Sequence, residues 1–461
     1  MRRFGWHWLA ASSLLIGALV AHAERRPQYG GTLHVAMHAA PLSLDPADRS
    51  VPDSFGRRSL TALIFDTLVT LDSSGQPKPA LGESWQTAGN QRWQFRLRHG
   101  VQFQDGTPLT AEAVASSLRF ANPSWKVRAE GESIIIELDA PGYAVSESAL
   151  LEELALPRNA IAKRNADGTL NGTGPFHVTE WQPAKHLTLA AEENCWRGRP
   201  FLDGIEIELG KTFRDQMTAL QMGKEDLVEI APEQARRVSQ EGRQLVSSPP
   251  IELLALLFVQ DPSSPEDKSL RDALGWSVER GSIRDVLLQG SGQPTGSILP
   301  TWMSGYGFVF SSTADLPKAR QLRGQAHSVP SWKLGYDNGD PLNKLLAERI
   351  ALNAVDAGLS LQPTPGSGGD LRLVRIPLAS PDPWIALQQL VALAGLPALK
   401  GKGSSIEDLY ADEHALLATR RLIPLFHLPV SYASATGLKG WTLRTEGAWD
   451  LSDAWLENRK P

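Results

Sequence analysis

Residues 251–259, IELLALLFV, are apolar at every position but Glu252 and follow directly on Pro249-Pro250. A run this apolar has no solvated face, so it reads as a strand buried on both sides. Placed mid-chain, it is expected to link two lobes.

Strand and helix patterns alternate around it. GTLHVAM at 31–37 reads as a strand after the Gly30-Gly31 turn, and Leu60, Leu63, Ile64 and Thr67 carry a helical period. WQFRLR at 93–98 alternates apolar and polar residues as a half-buried strand does. The turn HGVQFQDGTPLT at 99–110 brings Thr110 to the start of helix AEAVASSLRF, where its hydroxyl is placed to cap, and Gly106 is expected at positive φ. ESIIIELD at 132–139 and FLDGIEIELG at 201–210 read as strands, and HVTEWQPAKHLTLAAEE as a hairpin turning near Gln182 to Lys185. SLRDALGWSVERGSIRDVLL at 269–288 reads as two helices broken at Gly281. Leu342, Leu345, Leu346 and Ile350 mark another helix, and LRLVRI at 371–376 a strand. Mixed in this order, the elements imply an α/β architecture.

With 461 residues the chain is too long for one ordinary core, which implies two or three domains. Arg2-Arg3, the apolar stretch Leu9 to Val20 and Ala21-His22-Ala23 match a secretory signal peptide cleaved after Ala23. The stretch is too short to span a bilayer comfortably, and no cysteine follows it to carry a lipid. The mature chain is therefore expected to be soluble in the periplasm. A net charge of −5 without long single-sign runs argues against nucleic acid as a partner. The single cysteine, Cys195, permits no internal disulfide and reads as a packed apolar side chain. The chain has no phosphate-binding loop, Gly-x-Ser-x-Gly, Ser-x-x-Lys or His-Glu-x-x-His motif. No catalytic residue, metal site or cofactor is expected.

Four long segments carry a family resemblance: GGTLHVAMHAAPLSLDP at 30–46, IFDTLVTLDSSGQPKPALGESWQTAGNQRWQFRLRHGVQFQDGTPLTAEAVASSL at 64–118, GTGPFHVTEWQPAKHLTLAAEENCWRGRPFLDGIEI at 172–207 and LRDALGWSVERGSIRDVLLQGSGQPTGSILP at 270–300. Together they resemble the family 5 extracellular solute-binding proteins, the peptide/nickel class. The motifs themselves are structural, and Trp85 and Trp93 within them read as core anchors. The resemblance implies a two-lobe periplasmic-binding-protein fold of class II, in the large form with an extra domain inserted in lobe one. The implied division is signal peptide 1–23, lobe one 24–57 and 171–249, inserted domain 58–170, lobe two 250–435, and a return to lobe one at 436–461. It also implies a monomer that captures a small-molecule or short-peptide ligand by hinge closure and delivers it to a membrane ABC permease. A sensory protein of the same fold and a periplasmic hydrolase are the alternatives.

Site residues follow from the resemblance position by position. In peptide-binding members an aspartate three residues before a downstream Asp-Pro anchors the peptide amine. Here the pair is Asp382-Pro383 and Ala379 holds that position, so the anchor is missing. ELALPR at 153–158 is similar to a nickel-type stretch whose arginine meets a chelate carboxylate, and Arg158 either matches that arginine or is a surface arginine at a strand end. Pro377, Pro381 and Gly395 replace the other nickel-type positions, so nickel is not implied. Arg49-Ser50-Val51 aligns with the cleft edge of peptide binders, Trp384 faces either ligand or core, and Tyr432 is expected to close over ligand near the second crossing. His38 and His427 read either as metal ligands or as packed histidines.

Overall fold

The computed structural model describes residues 26–50, 54–72, 75–88, 91–138, 147–307, 309–378, 380, 382–401, 405–444 and 447–457. The signal segment, Val51 and Ala379 fall outside them.

One 11-stranded sheet runs through the molecule. Its first half holds, in spatial order, Phe176–Gln182, His186–Ala191, Gly204–Glu208, Thr32–Ala36 and Leu227–Ile230. Its second half holds Leu371–Pro377, Ser331–Tyr336 and Ser360–Pro365. Two long antiparallel strands, Gln244–Phe258 and Leu422–Ser434, lie between the halves and belong to both. Gln244 to Ser247 pair with Ser434 to Ser431 beside the first half, and Glu252 to Leu257 pair with Leu428 to Leu422 beside the second. The register shifts on both sides of Pro250, whose ring has no N–H to give the ladder.

The apolar run at 251–259 is covered on both faces. Leu254, Leu256 and Phe258 join a core with Trp332, Leu346 and Ile350. Leu253 and Ala255 point the other way, into a core with Ile376, Leu387 and Leu390. The first half of the sheet has its own core around Leu33, Val35, Ile205, Ile207 and Trp449.

A separate four-stranded sheet, ordered Gly82–Thr87, Arg92–Leu97, Ser133–Leu138, Trp125–Glu130, packs with helix Ala111–Ala121 around Trp93, Phe95, Val114, Leu118, Ile134 and Ile136. Thr110 caps that helix by accepting from the Ala113 amide. The turn that precedes it is anchored by Gln104. Its amide nitrogen donates to the Ile64 and Phe176 carbonyls, and its amide oxygen accepts from the Gly172 N–H. Gly106 sits at φ +78°, as expected. Gly172 is required for a different reason: a Cβ there would lie 1.9 Å from the Ile64 carbonyl oxygen.

One expected boundary moves. The helix pair at 269–288 breaks at Val278-Glu279, between Pro265–Ser277 and Arg280–Val286, and Gly281 lies inside the second helix. The break is held by Arg280, whose buried guanidinium donates to the carbonyls of Gly275, Val278 and Pro424.

Candidate ligand-binding cleft

Helix Phe55–Ile64 lies between two cavities. Its N-cap, Ser54, accepts from the Arg57 amide. Phe55 and Gly56 line one cavity, while Arg57, Arg58 and Thr61 line the other. Phe55 and Arg58 are separated by ~4.5 Å of helix rise.

The first cavity has a volume of about 460 Å³. Arg49, Arg57, Arg58 and Arg158 outnumber Asp48 on its walls, and Ala392 and Leu393 close it from helix Pro383–Ala394. Arg49 donates to the Ala121 carbonyl at 2.6 Å, and Arg57 to the Asp48 carbonyl at 2.8 Å. Arg158 forks onto Glu153, with Nε 3.0 Å from Oε1, and its side chain is 42% exposed. Planar, fixed guanidiniums of this kind suit a carboxylate.

The second cavity, about 250 Å³, lies where the crossing strands meet. His38, Phe213 and Glu229 face Asp337, Asp340, Asn343 and Arg375 across it, with Glu252 on the crossing strand. The His38 ring stacks on Phe213 at 4.7 Å between centroids. Arg375 reaches Asp340 at 3.1 Å and Glu252 at 3.8 Å. Burial pushes the Glu229 and Glu252 carboxyls above the usual range, and Arg375 offsets only part of this at Glu252.

The expected site residues separate into groups. Arg49 and Arg158 come together in the first cavity. Trp384 is 8% exposed, packs in the core with Leu387 and Leu390, and also lines a third cavity of about 490 Å³ with Gln388 and Val391. The Asp382-Pro383 motif is a helix start, with the Asp382 carboxylate accepting from the Ile385 amide at 2.9 Å. Tyr432 corrects the expectation outright. It is 0% exposed and packs edge-on against Trp441 and Trp449, because its position on the strand points into the first-half core rather than the cleft. His427 is buried against the Ile298 carbonyl at 2.9 Å, and burial lowers its pKa to about 4, so it is a neutral structural side chain. Among the described residues, no group of three or more His, Cys, Asp or Glu is arranged to hold a metal ion. Cys195 is buried, as expected.

Sequence reasoning missed Arg57, Arg58, Glu229, Glu252, Asp340, Asn343 and Arg375. Two signals were available: Glu252 is the single charge in its apolar run, and Arg57-Arg58 sit on a helix otherwise read for its apolar face.

Two sheet halves joined by paired crossing strands, with a cleft at the junction, define the two-lobed α/β binding-protein class in its large form. The profile of the bacterial extracellular solute-binding proteins, family 5, middle region, matches residues 76–371, and the chain belongs to that family. It is 26% identical over 283 residues to the nickel-binding protein NikA of Staphylococcus aureus, covering 58% of this chain and 55% of that protein. It is 24% identical over 344 residues to the probable D,D-dipeptide-binding periplasmic protein DdpA of Escherichia coli, covering 67% of this chain and 65% of that one. The sequence matches thus span somewhat over half the length of these relatives. In fold, it matches the oligopeptide-binding protein AppA of Bacillus subtilis, solved with a nonapeptide, at a TM-score of 0.79 and 16% identity, over 94% of this chain and 100% of AppA.

Proposed function

We propose that this chain is the substrate-binding component of an ABC importer. It captures a small peptide, peptide-like solute or metal chelate between its lobes by hinge closure and hands it unchanged to a membrane permease. The observation that carries the reading is the pair of crossing strands with its register broken at Pro250, beside cavities walled by both lobes. On this reading residues 24–57, 171–249 and 436–461 make lobe one, 58–170 the inserted domain and 250–435 lobe two. Residues 1–23 direct export to the periplasm, and the mature protein works as a monomer.

The arginine-lined cavity favours a solute with a free carboxylate, held by Arg49 and Arg158. Loss of the amine anchor at Ala379 removes a charged hydrogen bond worth roughly 1.5–3 kcal/mol, or one to two decades of affinity, from that end of an ordinary peptide.

Native mass spectrometry of the protein purified without denaturant tests the reading. A small organic solute retained at one per chain is expected. A bare chain that also turns over a peptide library would overturn it.

A further inference from the structure

The acidic cavity at the strand crossing is unaccounted for by a carboxylate-holding cleft. Its charged walls are Glu229, Glu252, Asp337 and Asp340 against Arg375, with the His38 ring to one side. Glu233, beside the lining residue Pro232, adds a carboxyl also pushed up by burial. One positive side chain is shared between Asp340 and Glu252, so carboxyl groups outnumber their cationic partner on the cavity walls.

A second, independent observation points the same way. Asn343 lines this cavity and is only 8% exposed. Its amide nitrogen donates to the Asp337 carbonyl at 3.3 Å, while its Oδ1 has no hydrogen-bond partner among the described residues. A buried acceptor left empty costs about 1–3 kcal/mol and calls for a donor. The empty acceptor calls for an N–H or O–H donor, and the surrounding carboxyl groups favour one that carries positive charge.

From this geometry we infer that the cavity lined by Glu229, Glu252, Asp340 and Asn343 holds the cationic end of the solute, an alkylammonium or guanidinium. The inference rests on the solute-binding reading and gives it a polarity. The solute lies along the first turns of helix Phe55–Ile64, with its carboxylate toward Arg49 and Arg158 and its cation toward the strand crossing. The acidic cavity thus supplies at another place the amine recognition absent at Ala379. The stacked His38 and Phe213 rings give its alkyl portion an aromatic wall.

The test is calorimetry of 1,4-diaminobutane, n-butylammonium and 1-butanol at low ionic strength, against the wild-type chain, E252Q and N343L. The two amines should bind and 1-butanol should not. E252Q, an isosteric change, should weaken diamine binding tenfold or more, and N343L should do so as a second, uncharged variant, with thermal melts confirming that both are folded. No amine heat beyond that of 1-butanol, or equal affinities in all three proteins, would overturn the inference. If a peptide hydrolysate still loads and closes the protein in that case, only the cation subsite fails. If it does not, the solute-binding reading fails with it.

Discussion

Pro250 lies directly opposite Pro429 on the two antiparallel strands that join the halves of the sheet. Neither residue has an N–H, so the ladder is interrupted on both strands at one level. Ser248 and Ser247 hold the strands together just beyond the gap, through Oγ to the Val430 amide at 3.0 Å and to Ser431 Oγ at 2.8 Å. A sheet bends most readily where its rungs are missing, so on the proposed closure this pair is the expected hinge.

Restoring the rungs should stiffen the hinge. The P250V/P429V double variant regains two donors, each worth about 0.5–1.5 kcal/mol where the geometry allows a bond. Its melting temperature is expected to rise while its affinity for the copurifying solute falls severalfold. Unchanged affinity with a raised melting temperature would move the hinge elsewhere.

Two glycines should respond differently to alanine. Gly106 has φ +78° and nothing within 4 Å of an added Cβ, so G106A costs only the backbone strain of about 1–2 kcal/mol. Gly172 would drive its Cβ into the Ile64 carbonyl, and the cost should exceed about 3 kcal/mol. Urea midpoints distinguish them, and equal losses would contradict the close approach at Gly172.

Glu152, on the helix Glu147–Ala155, is pushed up to about 7 by burial and by the neighbouring Asp382 carboxylate. The folded chain therefore holds this proton through a range where the unfolded chain has released it. That contribution is fully present below the unfolded value and is lost as pH rises through about 7. E152Q is expected to gain roughly 1–2 kcal/mol on the wild type between about pH 4 and about pH 8, after discounting for solvent screening. Melting curves of both proteins across that range check it, and parallel pH profiles would contradict it.

Arg158 is paired with Glu153, and the two ends of that pair should be separable. R158A is expected to weaken binding of the copurifying carboxylate solute about tenfold or more. E153Q, which releases the guanidinium, should leave binding intact or strengthen it. If calorimetry finds R158A indistinguishable from the wild type, the arginine belongs to a surface pair alone.

Much of the fold was legible because it is written in local patterns. The buried strand at 251–259, the Thr110 cap and the hairpin at 176–191 each follow from neighbouring residues, and the structure shows all three. The break near Gly281 was misplaced because Arg280 reaches a carbonyl at Pro424, far along the chain. The site was less legible for the same reason. Glu229, Glu252 and the Asp340–Asn343 helix start come from three separate segments, and only the folded sheet gathers them. Tyr432 shows the limit from the other side: nearness to the crossing was readable in sequence, but the direction of its side chain depends on strand register.

Small-angle X-ray scattering of the chain, stripped of bound solute by unfolding and refolding and then saturated with a dialysable casein hydrolysate, tests the central claim most directly. Closure about the Pro250–Pro429 level predicts a smaller radius of gyration in the loaded protein, reversed by stripping again. Superimposable curves, with no small molecule carried through desalting in the loaded sample, would contradict it.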